Sequence, residues 1–161
     1  TRAKNAWRQY GSIERYCMIR RATILDISAL AIMLNTMHEE TELQVPKIKT
    51  DKLINKINEL IHSGLVFVSI KDNKIQGSIA GQICQDWWSE EKYVGDVWFY
   101  VFKEQRKSNV AKNLLQAYIK TAKDAKMKIR LGHLFSGDID RKDNFFKRLG
   151  FTKAGSIFVE V

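Results

Sequence analysis

The sequence predicts an α+β fold, a mixed sheet with helices in the order β-α-α-β-β-β-α-β-α-β-β. Three observations lead there. Residues 65–102 hold three β-rich runs parted by short polar turns, which read as antiparallel hairpins. Two segments of helical spacing precede them. A strand-helix-strand passage over 93–135 follows and requires a crossover, so its two strands run parallel and the sheet is mixed.

Taken in order, "CMIRRA" is the first strand. Thr23 with Asp26 has the form of a capping box, after which Ile27, Leu30, Ala31 and Leu34 repeat at helical spacing. A second helix starts near Thr50, puts Leu53, Ile54, Ile57, Leu60 and Ile61 on one face, and stops at Gly64. "LVFVSI" (65–70) is a β-branched strand, and "KDNK" turns it into "IQGSIAGQIC". After the polar break "QDWWSEEK", residues 93–102 make an aromatic strand. A helix over about 110–126 buries Leu114, Leu115, Tyr118 and Ala122, and "KIRLGHLF" (128–135) follows as a strand. A short helix through Phe145, Phe146 and Leu149 ends at Gly150, and two last strands surround Gly155.

The 161 residues suffice for one domain with a real core. Residues 1–17, polar and basic around Trp7 and Tyr10, read as an N-terminal extension or expression remnant, and 18–161 as the domain. The start has no apolar core of a secretory signal, and no run approaches the roughly 20 apolar residues that span a bilayer, so no membrane role is expected. Two cysteines, Cys17 and Cys84, make no disulfide framework. With three scattered histidines they offer no metal spacing, and a reduced, cytoplasmic setting is expected. The net charge of +9 favours a polyanionic partner: nucleic acid, an anionic membrane or a phosphate-bearing cofactor.

Where that charge lies narrows the choice. "KEQRKSNVAKNLL" (103–115) runs a basic loop straight into a helix without an acidic cap. Helix N-termini favour anions, so an open one invites an anion from outside. Arg106, Lys107 and Lys112 would reinforce the free amides; the plain alternative is a solvated helix start with incidental lysines.

Residues 106–111, Arg-Lys-Ser-Asn-Val-Ala, resemble the acetyl-CoA-binding motif of the GNAT N-acetyltransferase superfamily: Arg or Gln, two variable residues, Gly, one more, then Gly or Ala. The aromatic strand before it, the "LL" helix after it and the later "FFKRLGF" resemble the same family in the same order, from about Ile19 to Val161. The resemblance implies a GNAT-like fold with splayed central parallel strands and acetyl-CoA as co-substrate. Backbone groups of Phe99, Tyr100 and Val101 would pair with the pantetheine arm. The amides of Arg106, Lys107, Ser108, Asn109, Val110 and Ala111 would hold the pyrophosphate. Asn109 stands where the family has Gly, and Asn is the next most tolerant of left-handed geometry. Phe146 falls where the family's thiolate-protonating Tyr stands and has no proton to give. Without a hydroxyl it reads as a core residue.

Acyl transfer needs a neutral amine. Asp96 is the candidate base, or an ordinary strand-end aspartate. His133 is the candidate relay, or a structural histidine. Glu39, Glu40 and Glu42, with Asp86 and the Trp87–Trp88 pair, would flank a cationic amine or form solvated ends. An exposed tryptophan would also mark a homodimer surface. The expected activity is acetyl-CoA-dependent N-acetylation of a small-molecule or peptide amine. The alternatives are an inactive acetyl-CoA binder of the same fold and a basic nucleic-acid-binding module, which "RAKNAWRQY" and "RKDNFFKR" suggest but no nucleic-acid motif supports. The acceptor's identity is not written in the chain.

Overall fold

The computed structural model describes residues 17–41, 45–132 and 138–158. Residues 1–16 of the leader, Glu42, His133 and residues 159–161 lie outside this set. The elements are β1 (Met18–Arg21), α1 (Ile27–Glu39), α2 (Thr50–Ser63), β2 (Val66–Lys71), β3 (Lys74–Gln85), β4 (Lys92–Val101), α3 (Val110–Asp124), β5 (Lys128–Arg130) and α4 (Ile139–Arg148). Short 3-10 turns precede α1 at Ile24–Asp26 and follow β4 at Lys103–Gln105. The strands form one five-stranded sheet in sequence order. All neighbours are antiparallel except β4 and β5, which are parallel, so the sheet is mixed as the crossover requires.

Local chemistry accounts for the boundaries. Asp26 accepts the Thr23 amide at 2.7 Å and fixes the entry into α1. α2 stops at Gly64, which adopts φ 75° and donates its amide to Ile61. The β2–β3 turn uses Asp72 and Asn73, both at positive φ, the pair of left-handed residues a tight hairpin needs.

The sheet separates two cores. On one side α1 and α2 bring Leu30, Met33, Leu34, Ile57 and Leu60 against Val66, Val68, Trp98 and Tyr100. On the other, Val110, Leu114, Leu115, Tyr118 and Ala122 of α3 pack on Phe67, Ile79, Val94 and Val101. Ile54, expected inside, is exposed at the rim of the α2 stripe.

The sequence reading departs from the structure at the C-terminal end. β5 is three residues long, and Leu131 and Gly132 beyond it are not strand. Described residues 151–158 form no strand either, with Ile157 and Phe158 exposed. Their β-forming composition finds no paired edge here, and such propensity depends on a neighbouring strand.

Candidate active site

The site begins where β4 loses a neighbour. Among the described residues β4 pairs with β5 at Tyr93–Lys128, Val94–Ile129 and Gly95–Arg130, and it continues to Val101 against β3. A register shift on β3 between Ala80 and Gly81 leaves Val97 unmatched, a bulge next to the parting point. There Asp96 Oδ1 accepts the Gly132 amide at 2.8 Å, so its carboxylate spans the two diverging chains. The Phe102 amide bonds to Gln76 of the β3 side. By strand alternation the Tyr100 amide points the same way, and those of Phe99 and Val101 point to the open edge.

The turn after β4 uses some of its amides internally. Arg106 donates to Lys103 O at 3.3 Å, Ser108 to Gln105 O at 3.1 Å, and Val110 to Ser108 Oγ at 3.3 Å. Those of Lys107, Asn109, Ala111 and Lys112 meet no acceptor among the described residues. Asn109 is the N-cap of α3, its side chain makes no cap bond, and the first turn contains no acid. Its φ of −81° is right-handed, so the Gly-to-Asn departure costs no backbone strain. Half of the six amides expected to face an anion are thus available, in alternation, with Lys112 added.

The side chains here are arranged differently from the sequence expectation. Arg106 does not project into the open amides. Its Nε donates to Val101 O at 2.9 Å, its Nη2 to Glu40, and its guanidinium lies 5.4 Å from the Tyr100 ring centre. Glu40, read as one member of a solvated acidic run, has a mostly buried side chain that also accepts the Tyr100 phenol. Burial works to raise the Glu40 pKa, but hydrogen bonds from Arg106 and Tyr100 and the charges of Arg106 and Lys103 outweigh it and hold the carboxyl below its ordinary value. Burial, then Glu40, pushes the Tyr100 phenol up. Lys142 of α4 is shifted down by burial and by the Arg106 charge. Glu40 carried one missed signal in the sequence: a carboxylate at a helix C-terminus opposes the helix dipole and needs a cationic partner.

Phe99 packs within 6.3 Å of Phe145 and 6.4 Å of Phe146, and Phe146 lies 6.1 Å from Phe151. Phe146 therefore belongs to an aromatic cluster beneath the open edge. Asp86 is held by both Arg130 nitrogens at 2.9 and 2.6 Å, while Arg130 stacks 3.9 Å over Tyr93. They line a cleft of about 210 Å³ at the opposite end of β4 from Val101. Trp87 and Trp88 meet edge to face at 5.2 Å and are both exposed, at 91% and 66%. The structure thus gathers Asp96, Phe99, Tyr100, Val101 and 106–111 along one edge, and places Asp86 and the tryptophans elsewhere.

A family model described as an acetyltransferase (GNAT) domain matches residues 62–153, more than half of the chain. No curated protein matches the sequence. Solved structures do. A predicted acetyltransferase from Clostridium acetobutylicum, determined with acetyl-CoA, superposes with a TM-score of 0.71 at 17% identity, over 89% of this chain and 94% of that one. An aminoglycoside acetyltransferase from an uncultured soil metagenomic sample, in complex with sisomicin, gives 0.63 at 17% over 93% and 97%. A ribosomal-protein-alanine N-acetyltransferase from Brucella melitensis gives 0.67 at 12% over 91% and 99%.

Proposed function

Because the chain belongs to the GNAT acetyltransferase family, we propose that it moves an acetyl group from acetyl-CoA to a primary amine by direct attack. One observation carries the reading: the edge of β4 beyond Gly95, which pairs with no strand among the described residues, leads directly to the open amides that begin α3. An extended pantetheine would lie along the edge, pairing with the backbone of Phe99 and Val101; the Tyr100 backbone, expected to join them, faces β3 instead. The diphosphate would rest on the amides of Lys107, Asn109, Ala111 and Lys112, where the helix dipole favours negative charge. Aromatic packing under the edge keeps the thioester out of bulk water, and a strand amide stabilises charge developing on its oxygen.

The amine must shed one proton as its nitrogen bonds the acetyl carbon and the carbon–sulfur bond breaks. Asp96, at the parting point of the strands, is the base in this reading, and His133 is the second candidate. The departing sulfur takes its proton from water, since Phe146 has none to offer. The aminoglycoside and ribosomal-protein acetyltransferases of similar fold support a small-molecule or peptide amine as acceptor.

Two substitutions test this. Asn109→Glu puts an anion beside the diphosphate and should weaken acetyl-CoA binding at least about ten-fold by calorimetry, the scale of a close like-charge contact in a partly buried site. Unchanged affinity would count against the cradle. Asp96→Asn should lower kcat/KM mainly at low pH, where free amine is scarce, and an unaltered pH–rate profile removes Asp96 from the chemistry. Phe146 favours a second reading, a binder without turnover. Acetyl-CoA binding with no acetylation of any amine in a broad panel would establish that reading instead.

A further inference from the structure

Three groups from distant parts of the chain meet at the upper end of the open edge. Glu40, the C-cap just after α1, divides its carboxylate between the Tyr100 phenol of β4 and Arg106 of the following turn. The Glu40 side chain is 13% exposed and that of Arg106 32%, so the pair is largely shielded from water. The same guanidinium closes on the Val101 carbonyl, which faces the unpaired edge. One residue along the chain, the Lys107 amide is open, followed by those of Asn109, Ala111 and Lys112.

An anion on those amides would sit one residue along the chain from an arginine whose side chain another anion already holds, and a rotation of that side chain would bring the two together. A guanidinium can bridge two acids, but a shielded site gives each less of it than either would have alone, and the acids repel each other. We propose that Glu40 sets the affinity of this site for the cofactor's diphosphate by competing with it for the Arg106 guanidinium. The inference rests on the acetyl-CoA reading above. When the diphosphate takes Arg106, the Val101 carbonyl is freed for the pantetheine arm and the end of α1 keeps only its Tyr100 tether. A purely structural ion pair predicts the opposite sign, because breaking it would loosen the turn and weaken binding.

The test measures binding of acetyl-CoA and of S-acetylpantetheine, which lacks phosphate, to the whole chain and to Glu40→Gln. Glutamine keeps the shape and an acceptor for Tyr100 but drops the charge. The Kd for acetyl-CoA should fall about three-fold or more, the upper range for a partly exposed ion pair, while that for S-acetylpantetheine stays put. Equal or weaker acetyl-CoA binding by the variant overturns the proposal, as does an equal gain for both ligands. If Glu40→Gln does not fold, hydrogen exchange on the wild-type chain decides. The Glu40 and Thr41 amides, bonded to Thr36 and His38 carbonyls, should exchange faster with acetyl-CoA bound, and slower or unchanged exchange overturns it. Failure of the wild type to bind acetyl-CoA at all is a different result, and would sink the acetyl-CoA reading together with the competition built on it.

Discussion

Gly81 sits where any side chain would strike Tyr118. A Cβ built there lies 2.3 Å from the phenol oxygen and 2.6 Å from a ring carbon, and both the β3 backbone and the α3 helix are fixed by packing. Gly81→Ala should therefore destabilise the fold by about 1–3 kcal/mol, the usual cost of overpacking. Tyr118 itself is 1% exposed, and its hydroxyl meets no acceptor among the described residues. Burial, then the charge of Asp96, pushes this phenol above its ordinary pKa, so it stays protonated. Removing an unmet buried hydroxyl relieves a desolvation penalty, so Tyr118→Phe should be neutral or stabilise by up to about 1 kcal/mol. Urea midpoints of the two variants check both signs, and a clear loss in Tyr118→Phe would mean that the hydroxyl has a partner. The ring's burial was legible in the helical spacing of Leu114, Leu115 and Tyr118. Its contact with Gly81 was not, because it depends on where the register of β3 shifts.

Between β4 and β5 the parting is enforced by a side chain substituting for a strand. Asp96 takes the Gly132 amide that a continuing ladder would have given to backbone, so among the described residues pairing ends at Gly95–Arg130. This gives Asp96 a positioning role separable from any chemistry. Asp96→Asn keeps an oxygen for Gly132, whereas Asp96→Ala does not. Hydrogen exchange at the Gly132 amide should accelerate in the alanine variant and remain near wild type in the asparagine variant. Acceleration in both would show that the charge, not the acceptor atom, holds the strands. At this scale the chain told much about itself. α2, α3 and the β2–β3–β4 hairpins followed from periodicity, and the open turn before α3 from an uncapped helix start. The strands expected around Gly155 did not form over 151–158, because a β-forming sequence declares its own preference and not whether an edge is there to receive it.

Across the whole molecule, what sequence order hid was long-range pairing. Arg106 and Glu40 are 66 residues apart, and no local pattern links them, whereas the open amides beside Arg106 are a property of one turn and an uncapped helix start points to them. A second pair of this kind is local and was half visible. Asp26, seen as a cap for α1, also receives both Arg20 guanidinium nitrogens, at 2.7 and 2.9 Å, joining β1 to the entry of α1. The Arg20 hydrogen bond lowers the Asp26 pKa from its ordinary 3.8, burial opposes it, and the Thr23 amide adds to the lowering. Glu40 is displaced in the same direction from 4.5. A carboxylate whose folded value is depressed binds fewer protons folded than unfolded. Its contribution is therefore complete above the ordinary value and disappears as pH falls through the lower, folded one. In a chain of net charge +9, protonating carboxylates also adds to an existing positive excess. Unfolding free energy should hence be flat from pH 7 to about 5 and drop as the acid window near and below 4 is entered. Asp26→Asn should cost about 1–3 kcal/mol at pH 7, the range for hydrogen bonds to a charged group, and then lose less than wild type on acidification. Urea titrations at pH 7, 5, 4 and 3 separate the curves; if they stay parallel, Asp26 is not among the groups whose protonation unfolds the protein.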